Sequence, residues 1–105
     1  MKNHLECSVA LIKNNTGYLF SERRKEPFSK YYEFPGGKIE EFETPEECLI
    51  RECHEELDIH VKASVYHGQI THLYENLSVK LHIFEIIKYS GKIKAKENQN
   101  FLYTN

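Results

Sequence analysis

A chain of 105 residues with a formal net charge of −2 and three cysteines has room for a single domain, 1–105, close to the lower size at which one apolar core suffices. A balance this near neutrality supplies no general basic field, which argues against nucleic-acid polymers as partners. No stretch approaches the roughly 20 apolar residues of a membrane span, and the apolar run of MKNHLECSVALIK is too short and interrupted for a signal peptide. The expected location is therefore the cytoplasm. Cys7, Cys48 and Cys53 are odd in number and form no C-x-x-C pair, so reduced, buried thiols are expected. The six histidines lack the spacing of zinc ligands.

In chain order, LECSVALIKN and GYLFSER are β-rich and are joined by NNTG, whose Asn and Gly suit a tight turn, so a first hairpin is expected. KEPFSK, residues 25–30, reads as a loop. YYEFPGGKIE reads as an extended segment broken by a turn at Pro35-Gly36-Gly37. A helix follows. Thr44 suits its N-cap, Pro45 its first position and Glu47 the capping box. At about 100° per residue, Leu49, Ile50, Cys53 and Leu57 share a packing side and Glu52, Glu55 and Glu56 an adjacent one. IHVKASVYHGQITHLYE and SVKLHIFEIIKY then read as two long antiparallel strands with a turn at ENL. A polar loop, KENQ included, leads to the short apolar run Phe101-Leu102-Tyr103.

The charge is unevenly spread. Between positions 40 and 58 nine acidic residues face only Arg51, a formal −8, which leaves +6 for the rest of the chain. Arg51 is within reach of Glu47 and Glu55, one turn away on either side, but cannot neutralise the cluster. A solvated acidic helix face is the ordinary reading of such a run. Three neighbours favour a metal site instead. Gly36 and Gly37 permit close backbone approach to a ligand, the oxygen-only donors suit Mg²⁺, and Lys38, Arg23 and Arg24 stand near enough to hold phosphate oxygens.

Gly37, five residues, Glu43, seven residues, Arg51-Glu52-Cys53, one residue, Glu55-Glu56, one residue, Asp58-Ile59 resembles the Nudix box, G-x5-E-x7-R-E-U-x-E-E-x-G-U, and EFPGGKIE is similar to the MutT-like branch of the Nudix hydrolases. Cys53 at an aliphatic position is a mild departure. Asp58 replaces a glycine that would close the helix in a left-handed conformation, which Asp tolerates better than most residues.

The resemblance implies an α/β Nudix fold, with a mixed β-sheet in an α/β/α sandwich; the second helix that family members carry after the strand resembling NFLYTN is expected to be absent from this sequence. It implies Mg²⁺, with Mn²⁺ as a substitute, held by Glu52, Glu55 and Glu56 with the backbone of Gly36 and Gly37. Glu43 would give support from behind, Arg51 would orient the glutamates, and Arg23 and Lys38 would bind substrate phosphate. Glu97 of KENQ would join the metal or take a proton from water, and reads equally as an ordinary loop carboxylate. The implied reaction splits a nucleoside triphosphate, 8-oxo-dGTP being one candidate, into monophosphate and pyrophosphate. Another nucleoside diphosphate derivative, or a catalytically weak nucleotide-binding module, is the alternative. A calcium-binding module lacks its D-x-D-x-D-G loop. Aromatics such as Tyr18, Phe34 and Phe84 suit a base pocket, although strand aromatics usually belong to the core. The apolar residues alternating onto both faces of VKLHIFEIIKY leave one face uncovered by a single helix, so either a homodimer or a poorly stable, unselective chain is expected.

Overall fold

The computed structural model describes residues 3–24 and 31–105; the loop expected at 25–30 lies outside them. The strands are β1 (Asn3–Leu11), β2 (Tyr18–Glu22), β3 (Tyr32–Glu33), β4 (Gly36–Lys38), β5 (His60–Leu73), β6 (Leu77–Ser90) and β7 (Phe101–Thr104), with helix α1 (Pro45–Leu57) between β4 and β5. A four-stranded mixed sheet has the order β4-β1-β6-β5, with β1 and β6 parallel and the other pairs antiparallel. A second, antiparallel sheet has the order β3-β2-β7. The mixed sheet expected from sequence is thus accompanied by a smaller one, and α1 is the one helix among the described residues.

The first hairpin forms only at its turn. Asn14 N–H donates to Gly17 O at 2.9 Å, and Leu19 N–H donates to Ile12 O at 2.8 Å. The Asn14 carboxamide oxygen also accepts the N–H groups of Thr16 and Gly17. Beyond the turn the two strands part. β1 pairs with β6 along all nine of its residues and with β4 on its other edge, so it has no free edge for β2. β2 joins β3 and β7 in the second sheet instead. The later hairpin forms as expected, with Tyr74 N–H donating to Leu77 O at 2.7 Å around Glu75-Asn76.

Gly36 and Gly37 do not form a turn. They are strand residues opposite Val9 and Ser8 of β1, and the change of direction falls at Pro35, just before them. Glycine is needed because the chains lie so close. Gly36 holds a positive φ of 150°, and a Cβ there would run into the Ser8 carbonyl.

Helix α1 begins as its sequence predicts. Thr44 Oγ1 accepts from Glu47 N–H at 3.1 Å, and Glu47 Oε1 accepts from Thr44 N–H at 2.8 Å. It ends as predicted too, on Asp58 at φ 60° and ψ 34°, whose N–H donates to His54 O. The packing face is rotated from the expected one. Cys48, Leu49, Cys53 and Leu57 are buried, whereas Ile50 is 41% exposed. The reason is β4, which passes beside the helix so that Cys48 Sγ meets the carbonyls of Gly37 and Lys38 at 3.4 and 3.5 Å. Ser8 Oγ of β1 donates to Pro45 O at 2.7 Å and fixes the helix start on the same strands.

The parallel register of β1 and β6 places Ser8 and Ala10 on one face with His82 and Phe84, toward α1, where they are buried. Phe84 is core, with Leu19, Leu49, Leu57 and Ile59. On the opposite face Cys7, Val9, Leu81 and Ile83 are only half-buried, and Ile70 of β5 is exposed. All three cysteines are free thiols, Cys48 and Cys53 buried and Cys7 half-buried. Burial pushes the Cys53 thiol up to about 12 and the Cys48 thiol up to about 11, so both stay protonated. No helix is long and apolar enough to cross a membrane among the described residues.

Candidate active site

Glu52 and Glu56, one helical turn apart, project from α1 toward the two glycines of β4. The Glu52 carboxylate lies against Gly37, where an added Cβ would collide with it. Glu56 receives a backbone hydrogen bond from Gly36 and lies next to Glu52. Its Oε2 is buried without a hydrogen-bond partner. Burial above all, then the hydrogen bond and charge of Glu52 and the charge of Glu97, push the Glu56 carboxyl up to about 10. Of the two glycines whose backbone is expected at the metal, Gly37 has its carbonyl turned toward the Cys48 thiol.

Arg51 organises the flank of this pair. Its Nε and Nη2 donate to Glu43 at 2.7 and 3.0 Å, Nη1 donates to Glu52 Oε1 at 2.8 Å, and Nη2 also reaches Lys38 O at 3.0 Å. This bidentate grip holds the Glu43 carboxyl down at about 2, with help from the Glu40 N–H at 2.9 Å. The surrounding carboxylates raise the Arg51 pKa in turn. The expected pairing of Arg51 with Glu47 is not made, because Glu47 is committed to the capping box. The pairing with Glu55 is made, at 3.3 Å to both carboxylate oxygens.

A cleft of about 300 Å³ opens beside Glu52 and Glu56. It brings together Gly36, Gly37, Lys38, Arg23, Glu52, Glu56 and Glu97. Glu43, Arg51 and Glu55 are not in its lining; Glu55 is half-exposed and faces Arg51. Three carboxyl or hydroxyl residues missed in the sequence also line it, Ser21, Glu22 and Glu33. Glu33 pairs with Arg23 at 3.3 Å and Glu22 with Arg24 at 3.3 Å, so both arginines meet carboxylates. Alternation along β2 could have placed Ser21 with the buried Leu19, but the pairing of Ser21 with Glu33 across β3 is non-local.

Among the described residues no group of three or more His, Cys, Asp or Glu side chains stands as a ready-made metal cage. The donor chemistry nevertheless fits a hard divalent cation. The donors are all oxygens, one buried carboxylate oxygen is orphaned, and the proximity of Glu52, Glu56 and Glu97 raises the proton affinity of Glu56, a cost that a cation between them would relieve.

The sequence pattern of the NUDIX domain family matches residues 2–101, and the chain belongs to that family. It is a Nudix pyrophosphohydrolase. It is similar to the 8-oxo-dGTP diphosphatase of Escherichia coli (strain K12), with 30% identity over 97 residues that cover 90% of this chain and 75% of that protein. The CTP pyrophosphohydrolase of the same strain is 26% identical over 100 residues, covering 94% of this chain and 74% of that protein. Among solved structures, the E. coli ORF135 protein matches with a TM-score of 0.82 at 25% identity, over 98% of this chain and 74% of that one. The MutT NUDIX hydrolase of Burkholderia pseudomallei matches with a TM-score of 0.84 at 19% identity, over 97% and 84%, which is a likeness of fold.

Proposed function

We propose that this chain hydrolyses a nucleoside triphosphate to the monophosphate and pyrophosphate with Mg²⁺, for which Mn²⁺ substitutes, and that oxidised guanine nucleotides of the 8-oxo-dGTP kind are its substrate class. The observation that carries the reading is the orphaned, buried carboxylate oxygen of Glu56. It sits beside Glu52, across a cleft edged by Lys38 and Arg23. Glu52, Glu56 and Glu97 would hold the metal, with Glu55 joining once released from Arg51, and the backbone of Gly36 and Gly37 forms the adjoining wall. When bound there, a divalent cation would supply positive charge for phosphate oxygens and would make water more acidic. Arg51 fixes Glu52 and is itself fixed by Glu43. Lys38 and Arg23 bind and orient the phosphate chain, and a cleft glutamate accepts the proton of the attacking water.

The relatives named 8-oxo-dGTP diphosphatase favour the oxidised substrate. The relative named CTP pyrophosphohydrolase supports a second reading, an unmodified nucleotide. We place the enzyme in the cytoplasm, where its three free thiols stay reduced. Pyrophosphate release from a panel containing 8-oxo-dGTP, dGTP and CTP, with Mg²⁺ and with excess chelator, tests the proposal. Mg²⁺-dependent turnover, fastest on 8-oxo-dGTP, is expected, and full activity in chelator would sink the metal-dependent reading.

A further inference from the structure

The segment between β6 and β7, residues 91–100, carries Glu97 to the cleft and rests on the C-terminal end of α1. The last carbonyls of a helix have no partner within it and must find one outside. Leu57 O accepts from Lys94 N–H at 2.9 Å, and Glu56 O accepts from Lys96 N–H at 3.2 Å. Gln99 adds a side-chain link. Its Nε2 donates to the same Glu56 carbonyl at 3.0 Å, while its Oε1 accepts from Glu97 N–H at 2.9 Å. The residue is only 4% exposed, and one end of its amide faces a carbonyl and the other an N–H, which determines how the amide is turned. One rigid planar group therefore joins the main chains of the helix-borne and the loop-borne carboxylate. At the next residue, Asn100 N–H donates to Glu22 Oε1 at 3.1 Å, and Glu22 N–H donates to Asn100 O at 2.9 Å. This anchors the segment to the other wall of the cleft. The ion pairs of Asp58 with Lys94 and Lys96, at 3.9 and 3.6 Å, lie at the surface and add little to this attachment.

We propose that Gln99 is a positioning residue for the cleft, its buried amide fixing the spacing between Glu56 and Glu97 and so the geometry in which these carboxylates receive a divalent cation. The inference rests on the metal-dependent reading of the cleft. A residue that only closes the helix end would act on stability alone. A residue that positions Glu97 must act on the cation through Glu97, and a double-mutant cycle separates the two.

Mn²⁺ binding, read from the electron paramagnetic resonance of the free ion, is measured for the wild type, Gln99→Met, Glu97→Gln and the double variant, each with a melting curve and steady-state kinetics. Gln99→Met is expected to weaken Mn²⁺ binding and to lower kcat about 10-fold each, as loss of a group supporting a metal ligand does. KM should change by less than about twofold. In the Glu97→Gln background the same change should move Mn²⁺ affinity by less than about twofold. Wild-type affinity in Gln99→Met, or an equal loss in both backgrounds, would overturn the proposal and leave Gln99 as a helix anchor. Should Gln99→Met not fold, Gln99→Ala, which leaves room for water to satisfy both main-chain groups, is judged by the same cycle. A wild type that binds Mn²⁺ no better than Glu52→Gln would refute the metal reading of the cleft, and the role of Gln99 with it.

Discussion

Two residues outside the cleft carry backbone strain that can be relieved without touching the chemistry. Phe42 adopts φ 66° with its ring almost wholly exposed, and Asp58 adopts φ 60° at the end of α1. A left-handed conformation costs a residue with a Cβ roughly 1–2 kcal/mol, and glycine recovers that at the expense of some unfolded-state entropy. Phe42→Gly and Asp58→Gly should therefore each stabilise the protein by no more than roughly 1 kcal/mol, with Asp58 gaining less because it also gives up its lysine pairs. Activity should be unchanged by Asp58→Gly. Urea denaturation alongside a turnover assay checks both, and a loss of stability at residue 58 would mean that the lysine pairs outweigh the strain. Within the cleft, Glu56→Gln keeps the side chain's size but removes the charge of a residue read as a metal ligand, so turnover should fall by orders of magnitude while the fold survives.

At the scale of elements, what was legible in the sequence was what is decided locally. Thr44, Pro45 and Glu47 determine where α1 starts because their bonds lie within one turn, and the spacing from Gly37 to Glu56 identified the residues that meet β4. The partner of β2 was not legible. It depends on β1 having both edges occupied by strands far along the chain. The same limit misassigned Ile50, since the arc that a helix buries is set by what crosses it, and β4 crosses on the Cys48 side. Gln99 escaped notice because a polar loop has no periodicity to flag a buried amide. The helix face gives a direct test. Leu49→Ala, at a fully buried position, should cost about 2–5 kcal/mol, whereas Ile50→Ala should cost less than about 1 kcal/mol. Equal losses in thermal or urea unfolding would show the face to be assigned wrongly.

Across the whole molecule, the acidic cluster should make stability depend on pH with opposite signs at two residues. Glu43 is held down at about 2, against an ordinary value of 4.5, by Arg51 and the Glu40 amide. Its contribution is present above pH 4.5 and is lost as pH falls toward 2. Glu56 is raised to about 10 from 4.5, so the folded state holds a proton that the unfolded chain releases. Its contribution is complete below pH 4.5 and is lost as pH rises toward 10, at a rate on the order of 1 kcal/mol per pH unit. Together the two groups favour the metal-free protein most near pH 4–5. Divalent cations should reverse the alkaline limb, because they bind the ionised carboxylates and bind the folded chain alone. We therefore expect the metal-free melting temperature to decline between pH 5 and 9, the decline to flatten in Glu56→Gln, and added Mg²⁺ to raise the wild type more at pH 8 than at pH 5. The variant should also melt above the metal-free wild type at pH 8, since an amide does not require the proton that Glu56 must take up. Parallel pH profiles for the two proteins would place the pH-sensitive charge elsewhere in the cluster and remove the basis for treating Glu56 as the group that most needs a cation.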